Sequence, residues 1–222
     1  MRIIQLFLKR LFDFIISLVA IIILSPVFLI IAVAIKLTSK GPVFFKQERL
    51  GRKGKVFKIL KFRTMIVNAE HIGDGLSVKS EKDPRITSVG RILRATSLDE
   101  LPNLINTCVG SMSIVGPRPP VTYHPYPGYE NYPDWAKKRF EMRPGITGLA
   151  QATVRNSATW DERIKIDNEY INKFSLWMDI KVLVLTVMRV LKSKDIYATP
   201  ANNKTENPEQ TTNEKETDSV GK

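Results

Sequence analysis

Two adjacent carboxylates, Asp99 and Glu100, occur in the segment Ser97-Leu98-Asp99-Glu100-Leu101-Pro102-Asn103. A neighbouring pair of acids can hold a divalent metal ion, or one acid can serve as a nucleophile while the other assists it. The spacing Ser97-x-x-Glu100 also matches a helix capping box, in which these side chains would only stabilise a helix start. Pro102 would then occupy the fifth helical position, whereas proline prefers the first. A catalytic pair and a helix cap are therefore two alternatives at this point.

Arginines beside glycine and proline form a second group of candidate functional residues. Arg118 lies in Gly116-Pro117-Arg118-Pro119, and Arg143 begins Arg143-Pro144-Gly145. Such turns hold a guanidinium rigidly, and a guanidinium binds phosphate through two parallel hydrogen bonds. The alternative is a solvated basic surface. The arginines considered are Arg49, Arg63, Arg94, Arg118, Arg143 and Arg155.

The composition narrows the class of protein. The chain has 222 residues, with 34 Lys+Arg against 22 Asp+Glu and a net charge of +12, which indicates anionic partners. A hydrophobic content of 43% is ordinary for a globular protein and excludes a transporter with many membrane spans. The single cysteine, Cys108, excludes an internal disulfide, and with only two histidines a Cys/His zinc site is not expected.

The N-terminal segment is basic and then apolar. Lys9 and Arg10 precede a stretch from residue 14 to residue 35 without a charged residue. About 22 residues give a helix of about 33 Å, enough to cross a bilayer core. Ser25-Pro26 lies in its middle and predicts a break or kink, and basic residues flank both ends. A kinked span and a helix-break-helix that enters and leaves by the same membrane face both fit.

The remaining chain is predicted to be α+β and rich in helices. Two β-prone runs, 43–47 and 55–62, are separated by the turn 51–54 and predict a hairpin. Helices are predicted over 87–95, 97–109, 135–142, 160–174 and 177–191, the last as a buried helix or an interfacial amphipathic one. Residues 199–222 are polar and predict a disordered tail. Three lysines and five acids give this tail a net charge of −2, so the preceding part carries +14.

Seven short segments of the chain form an ordered set of motifs. They are Lys9-Arg10-Leu11-Phe12-Asp13, Ser25-Pro26, Gly41-Pro42-Val43-Phe44-Phe45-Lys46-Gln47, Lys61-Phe62-Arg63-Thr64-Met65, Ser97 to Pro102, Gly116-Pro117-Arg118-Pro119 and Arg143-Pro144-Gly145-Ile146-Thr147-Gly148-Leu149-Ala150-Gln151. With these segments in this order, the chain resembles the bacterial sugar transferase family, monotopic phosphoglycosyl transferases that act on polyprenyl phosphate. The resemblance covers nearly all residues from Lys9 to about Leu191, and Asn103 departs from the glutamine that is commoner there.

The resemblance implies an enzyme that moves a sugar 1-phosphate from a UDP-sugar to undecaprenyl phosphate and releases UMP. Such a step initiates synthesis of capsule, exopolysaccharide, O-antigen or glycoprotein glycan, which adds downstream glycosyltransferases as a class of partner. The resemblance also implies a catalytic Asp99-Glu100 dyad with Mg²⁺. It further implies a helix re-entrant at Ser25-Pro26 in the bacterial inner (plasma) membrane, with a cytoplasmic catalytic domain.

These implications give each part of the chain a predicted role. Residues 1–38 form the membrane-inserted helix-break-helix, 39–198 the catalytic domain and 199–222 the tail. Asp99 attacks the β-phosphorus to form an aspartyl-phosphosugar, and Glu100 helps to hold Mg²⁺ or tunes the nucleophile. The residues expected to bind substrate phosphate are Arg63, Arg94, Arg118 and Arg143.

Two other functions are compatible with a basic, membrane-anchored chain. One is a non-catalytic scaffold or regulator that binds anionic lipid or a protein partner. The other is a nucleic-acid binder, for which the sequence contains no recognition motif, and no nucleic-acid partner is expected. Neither alternative explains the ordered motifs.

Overall fold

The helix-rich α+β architecture expected from the sequence is present in the computed structural model, which describes residues 2–72, 83–154 and 158–192. Arg155 and the tail predicted over 199–222 lie outside the described residues. The elements in chain order are α1 (Arg2–Thr38), β1 (Phe44–Leu50), β2 (Val56–Phe62), α2 (Ser88–Ala95), α3 (Asn103–Val109), β3 (Ser113–Val115), α4 (Asp134–Lys137), β4 (Gly145–Thr147), α5 (Leu149–Thr153), α6 (Trp160–Asn172) and α7 (Leu176–Lys192). Short 3-10 turns occupy Arg52–Gly54, Ala69–His71, Leu98–Glu100 and Lys138–Glu141.

Helix α1 is the one described helix that is long and apolar enough to cross a membrane. The interruption that the sequence predicts at Ser25-Pro26 does not end the helix, because a single helix passes through both residues. Pro26 lacks the N–H that would donate to the carbonyl of Ile22. Ser25 Oγ donates to that same Ile22 carbonyl at 2.8 Å, so the backbone acceptor freed by the proline keeps a donor.

Both ends of α1 pack against the rest of the protein, while its middle is exposed. Near the start, Lys9 Nζ donates to Asp179 Oδ2 on α7 at 2.7 Å. Asp13 accepts hydrogen bonds from Ser113 Oγ at 2.6 Å and from the Ile114 N–H at 3.0 Å, both on β3. Near the end, buried residues of α1 join a cluster with β2 and α2, made of Ile31, Ile35, Phe62 and Leu93. The exposed apolar side chains between include Ile15, Ile16, Leu18, Val19, Ile22, Ile23, Leu29 and Ile30.

The predicted hairpin is confirmed. Strands β1 and β2 pair antiparallel from Phe44 opposite Phe62 to Leu50 opposite Val56. The N–H of Gly51 donates to the carbonyl of Lys55 at 2.8 Å and closes the turn. This hairpin carries Lys61, whose side chain reaches the acid pair.

A second, parallel pair of strands is not predicted by the sequence. Strands β3 and β4 pair with Ser113 opposite Gly145 and Val115 opposite Thr147. The chain around Gly116, Gly145 and Gly148 is so close that a Cβ on any of the three would lie within 2.4 Å of a backbone atom. The glycines are therefore required for a close backbone contact between two parts of the chain. This contact brings residues 116–119, here called the Arg118 segment, beside residues 143–145, here called the Arg143 segment.

Three hydrophobic clusters hold these elements together. One links β3, α5, α6 and α7 and includes Val115, Tyr170 and Val182. A second lies beneath α4 and α6 and includes Leu50, Phe140 and Ile164. The third is the cluster of α1 with β2 and α2 described above. Helix α1 is thus part of the folded body at both of its ends.

The buried carboxylate of Asp13 should contribute substantially to stability. Replacing Asp13 by alanine leaves Ser113 Oγ and the Ile114 N–H without an acceptor, and unsatisfied buried donors cost about 2 kcal/mol in all. We expect Asp13→Ala to lower the Tm of the detergent-solubilised protein by about 4–8 °C. The control is Asp134→Ala, because the Asp134 side chain is fully exposed, and its Tm should be unchanged. Equal Tm values for both variants would contradict the proposed anchoring of α1.

Candidate active site

The acid pair lies in a 3-10 turn between α2 and α3. The helix predicted over 97–109 is wrong in its first half, because α3 begins at Asn103, directly after Pro102. The capping-box interpretation is also wrong, since Ser97 has a left-handed backbone with φ of 58° and makes no capping hydrogen bond. Asp99 and Glu100 therefore precede the helix and are half-buried rather than used as caps.

Glu100 is held as an anion by two partners. Lys61 Nζ on β2 forms an ion pair with Glu100 Oε1, and Asn103 Nδ2 donates to Oε2 at 2.7 Å. Burial raises the pKa of Glu100, but Lys61 and Arg118, with a smaller contribution from Arg49, outweigh it and lower this pKa to about 2. Glu100 is thus fixed in position and ionised at neutral pH.

Asp99 has a different environment. Burial raises the pKa of its carboxyl, the charge of Glu100 adds to this rise, and Lys61 and Arg94 partly oppose it. Within the described residues, no side-chain donor forms a hydrogen bond with its carboxylate. Two adjacent carboxyls whose pKa values are shifted in opposite directions can take different chemical roles. Asp99 is the less constrained of the two, whereas Glu100 is held by Lys61 and Asn103.

A cavity of about 280 Å³ opens beside Glu100. Its walls come from the turn that carries the acid pair, the Arg118 segment, α5, α6 and α7. Its polar lining consists of Ser97, Glu100, Arg118, Arg139, Thr147, Gln151, Trp160, Arg163, Asp167, Thr186 and Arg189. With four arginines against two acids, the cavity suits a ligand that carries negative charge.

The Arg118 segment is fixed to α6 through a buried ion pair. Arg139 Nη2 donates to Asp167 Oδ2 at 2.7 Å and to the carbonyl of Arg118 at 2.7 Å. The side chains of Arg139 and Asp167 are only 1% and 2% exposed. Burial raises the pKa of Asp167 to about 6, although Arg139 opposes the rise. Since an unpaired charge at this depth would be costly, the pair constrains where the segment lies.

The far wall of the cavity contains groups that the sequence did not single out. The guanidinium carbons of Arg163 and Arg139 lie 5.4 and 5.8 Å from the ring centroid of Trp160. Buried atoms without a partner in the described structure include Arg163 Nε, Arg139 Nη1 and Gln151 Oε1. Such atoms are expected where a polar ligand completes the hydrogen bonding.

The helix that carries part of this wall could have been located from a pattern in the sequence. Thr159 and Glu162 form a true capping box, in which Thr159 Oγ1 accepts from the Glu162 N–H at 3.3 Å. That box starts α6 at Trp160, and the spacing of Arg163 and Asp167 places both on one helix face. The pattern Thr-x-x-Glu could thus have located the start of this wall. Arg139 has no comparable local signal.

The four arginines predicted to bind phosphate are not brought together. Arg118 lines the cavity, and Arg94 lies close enough to Asp99 to lower its pKa. Arg63 instead donates to the carbonyl and Oγ of Ser39, at 2.8 and 2.7 Å, where α1 ends. Arg143 donates to the carbonyl of Gly110 at 2.8 Å and does not line this cavity. Gly and Pro neighbours predict rigidity, but they do not determine the direction of a side chain.

Comparison with known proteins identifies the family. The family model described as bacterial sugar transferase matches residues 4–193, so the chain belongs to the bacterial sugar transferase family. It is 43% identical over 85% of its length to the UDP-glucose:undecaprenyl-phosphate glucose-1-phosphate transferase of Xanthomonas campestris pv. campestris, covering 40% of that protein. It is 40% identical over 86% of its length to the undecaprenyl-phosphate galactose phosphotransferase of Salmonella typhimurium, covering 42% of that protein.

A shorter relative is covered more fully. The chain is 41% identical over 85% of its length to the UDP-glucose:undecaprenyl-phosphate glucose-1-phosphate transferase of Caulobacter vibrioides, and it covers 72% of that protein. The chain therefore spans about two fifths of the length of the first two relatives and nearly three quarters of the third.

The position of Lys61 predicts a shift in the pH dependence of a reaction that requires Asp99 in its ionised form. Lys61 lowers the pKa of Asp99, so Lys61→Gln should raise this pKa further. The ionised fraction of Asp99 then falls at a higher pH, and we expect the acid limb of the pH–rate profile to move up by about 1 unit or more. Lys58→Gln, at an exposed position of the same strand, is the control and should leave the limb in place. An unmoved limb in Lys61→Gln would contradict the electrostatic role.

Proposed function

We propose that the chain transfers a sugar 1-phosphate from a UDP-sugar to undecaprenyl phosphate and releases UMP. The observation that carries this proposal is the Asp99-Glu100 pair in a bacterial sugar transferase: the two pKa values are shifted in opposite directions, and Glu100 lines an arginine-rich cavity. The printed names of its relatives, which specify undecaprenyl phosphate together with glucose 1-phosphate or galactose, support the same reaction. The product would start a capsule, exopolysaccharide, O-antigen or glycoprotein glycan.

The reaction proceeds in two displacements at phosphorus. A carboxylate oxygen of Asp99 forms a bond to the β-phosphorus of the UDP-sugar, and the bond to the bridging oxygen breaks, so UMP leaves with the electron pair. An oxygen of undecaprenyl phosphate then attacks the same phosphorus and breaks the bond to Asp99, which restores the carboxylate. Each step brings an anion towards a phosphorus that is already surrounded by negative oxygens.

The cations around Asp99 reduce this repulsion. Arg94 and Lys61 act on Asp99, and Arg118 faces the cavity beside Glu100. Arg139 holds the backbone of Arg118 through its carbonyl, which fixes the point from which this side chain extends. Positive charge that is already in place stabilises a transition state more than mobile charge does. Glu100 is ionised, and it helps to keep its two hydrogen-bond donors, Lys61 and Asn103, in place.

A magnesium ion would fit this site only together with the substrate, whose phosphates would supply the remaining ligands. The described residues contain no group of three or more His, Cys, Asp or Glu side chains that could hold a metal alone. Mg²⁺, however, is commonly bound by one or two carboxylates together with substrate phosphates and water. Asp99 and Glu100 would be the protein ligands, and the ion would neutralise charge on the diphosphate.

We propose that α1 enters and leaves the membrane by the same, cytoplasmic face of the bacterial inner membrane. Its two ends contact the same folded body through Asp13 and Ile35, while the apolar middle is exposed. Basic residues flank both ends, as the positive-inside rule requires of two cytoplasmic flanks. Helix α7 adds an exposed apolar face suited to the interface, made of Trp177, Ile180, Val184, Val187 and Met188.

The covalent route predicts exchange of UMP without the lipid acceptor. Wild-type enzyme with Mg²⁺ and UDP-glucose or UDP-galactose should incorporate radiolabelled UMP into the UDP-sugar, because the first displacement is reversible. Asp99→Asn should lower this exchange by about 1000-fold or more, since it removes the nucleophile. Asp134→Asn, at a fully exposed position, should retain it. No exchange by an enzyme that turns over normally with lipid would instead indicate direct transfer.

A further inference from the structure

A second cavity, of about 500 Å³, lies between the hairpin turn and the loop that follows α3. Four basic side chains line it, from Arg52, Lys53, Lys55 and Arg143. Gly110 and Ser111 supply part of the opposite wall, and no acidic residue is among the described residues that form it. We refer to this space as the basic cavity.

The positive charges around the basic cavity are not neutralised within it. Burial lowers the pKa of Arg143, and the nearby charges of Arg10 and Arg52 lower it further, with Asp13 in opposition. Arg52 and Arg143 also line an adjoining cavity that contains Asp13, and the Asp13 carboxylate there accepts hydrogen bonds from β3. Glu141, also there, has an ion pair with Arg2 at 3.7 Å. Like charges held at close range favour a bound anion.

Structural roles explain only part of this cluster. Arg10 donates to the carbonyls of Thr107 and Cys108, at 2.6 and 2.8 Å, and so caps the C-terminus of α3. Arg143 uses Nε for Gly110, at 2.8 Å, and Arg52 uses Nε for the carbonyl of Glu141, at 3.0 Å. These bonds orient both guanidiniums but leave their Nη groups without a partner among the described residues. Two such groups can bind the oxygens of a phosphate.

The basic cavity adjoins the point where α1 becomes apolar. Arg10 is the last basic residue before the uncharged stretch of α1, and its side chain reaches the end of α3 beside Gly110. Two valines near the cavity are exposed, Val109 at 73% and Val56 at 56%. A phosphate site bordered by exposed apolar side chains matches the boundary between lipid head groups and acyl chains.

We propose that the basic cavity binds the phosphate head group of an anionic membrane lipid. The site is separate from the cavity beside Glu100 and requires only that α1 lies in a membrane. The phosphate would accept hydrogen bonds from Arg52 and Arg143, with Lys53 and Lys55 adding charge at the open side. Binding a lipid here would fix the folded body against the membrane at the level of Arg10.

Native mass spectrometry of the full chain in neutral detergent tests this proposal. The enzyme is titrated with phosphatidylglycerol and, separately, with phosphatidylcholine, and a dissociation constant is obtained for the first bound lipid. We expect selective binding of phosphatidylglycerol. A basic residue near a membrane surface contributes about fivefold in affinity, so Lys53→Gln with Lys55→Gln should weaken that binding about 30-fold.

The control has the same change in charge at a different place. Lys165→Gln with Lys173→Gln removes two exposed lysines of α6 and of its C-terminal end, outside the basic cavity, and should retain the wild-type affinity. Equal weakening in both double variants, or equal affinity for the two lipids, would overturn the proposal.

Competition with inorganic phosphate distinguishes a lipid head group from a free phosphate. Inorganic phosphate that displaces phosphatidylglycerol at a comparable concentration would assign the site to a free phosphate instead and would also overturn the proposal. UMP exchange by Asp99 is a separate readout, so neither result decides the other.

Discussion

Two adjacent carboxylates in a half-buried turn repel each other, and the rest of the structure depends on how that repulsion is balanced. Lys61 pairs directly with Glu100 and also lowers the pKa of Asp99, so one ammonium acts on both acids. Arg94 acts on Asp99, and Arg118 acts on Glu100. The three cations come from β2, α2 and the segment after β3. The elements around the turn are therefore arranged so that the preceding helix and two distant parts of the chain supply cations to Asp99 and Glu100.

Buried polar contacts fix the Arg118 backbone and the start of α1 in place. The ion pair of Arg139 with Asp167 positions the backbone of Arg118. Near the start of α1, Lys9 and the Tyr170 hydroxyl both donate to Asp179, at 2.7 and 2.6 Å, which joins α1, α6 and α7. Asp13 joins α1 to β3, the strand that leads into the Arg118 segment. The apolar N-terminal helix is thus structurally continuous with the candidate active site, rather than a separate anchor.

Local patterns in the sequence predicted the elements that are stabilised locally. The hairpin, α2, α6 and α7 were expected close to their observed bounds, because their turns, caps and apolar spacing lie within the elements themselves. The acid pair was also found, and Pro102 correctly indicated that α3 begins after it. The ordered motifs are also local, so they indicate the family without any knowledge of tertiary contacts.

Features that depend on contacts between distant residues could not be predicted in this way. Strands β3 and β4 have three residues each and lie about 30 residues apart, too short and too distant for a recognisable pattern. Arg63, Arg118 and Arg143 all belong to conspicuous motifs, yet only Arg118 faces the cavity, because side-chain direction is decided by the tertiary fold.

The central claim is that Asp99 forms a covalent bond to phosphorus. The most direct measurement is the mass of the enzyme after brief incubation with Mg²⁺ and a UDP-sugar in the absence of lipid, followed by acid quenching and peptide mapping. The account predicts a mass increase equal to one sugar phosphate on the peptide that contains Asp99, and its loss when undecaprenyl phosphate is added. An adduct on a different residue, or rapid-quench formation of product at the full rate with no adduct at any time, would contradict it.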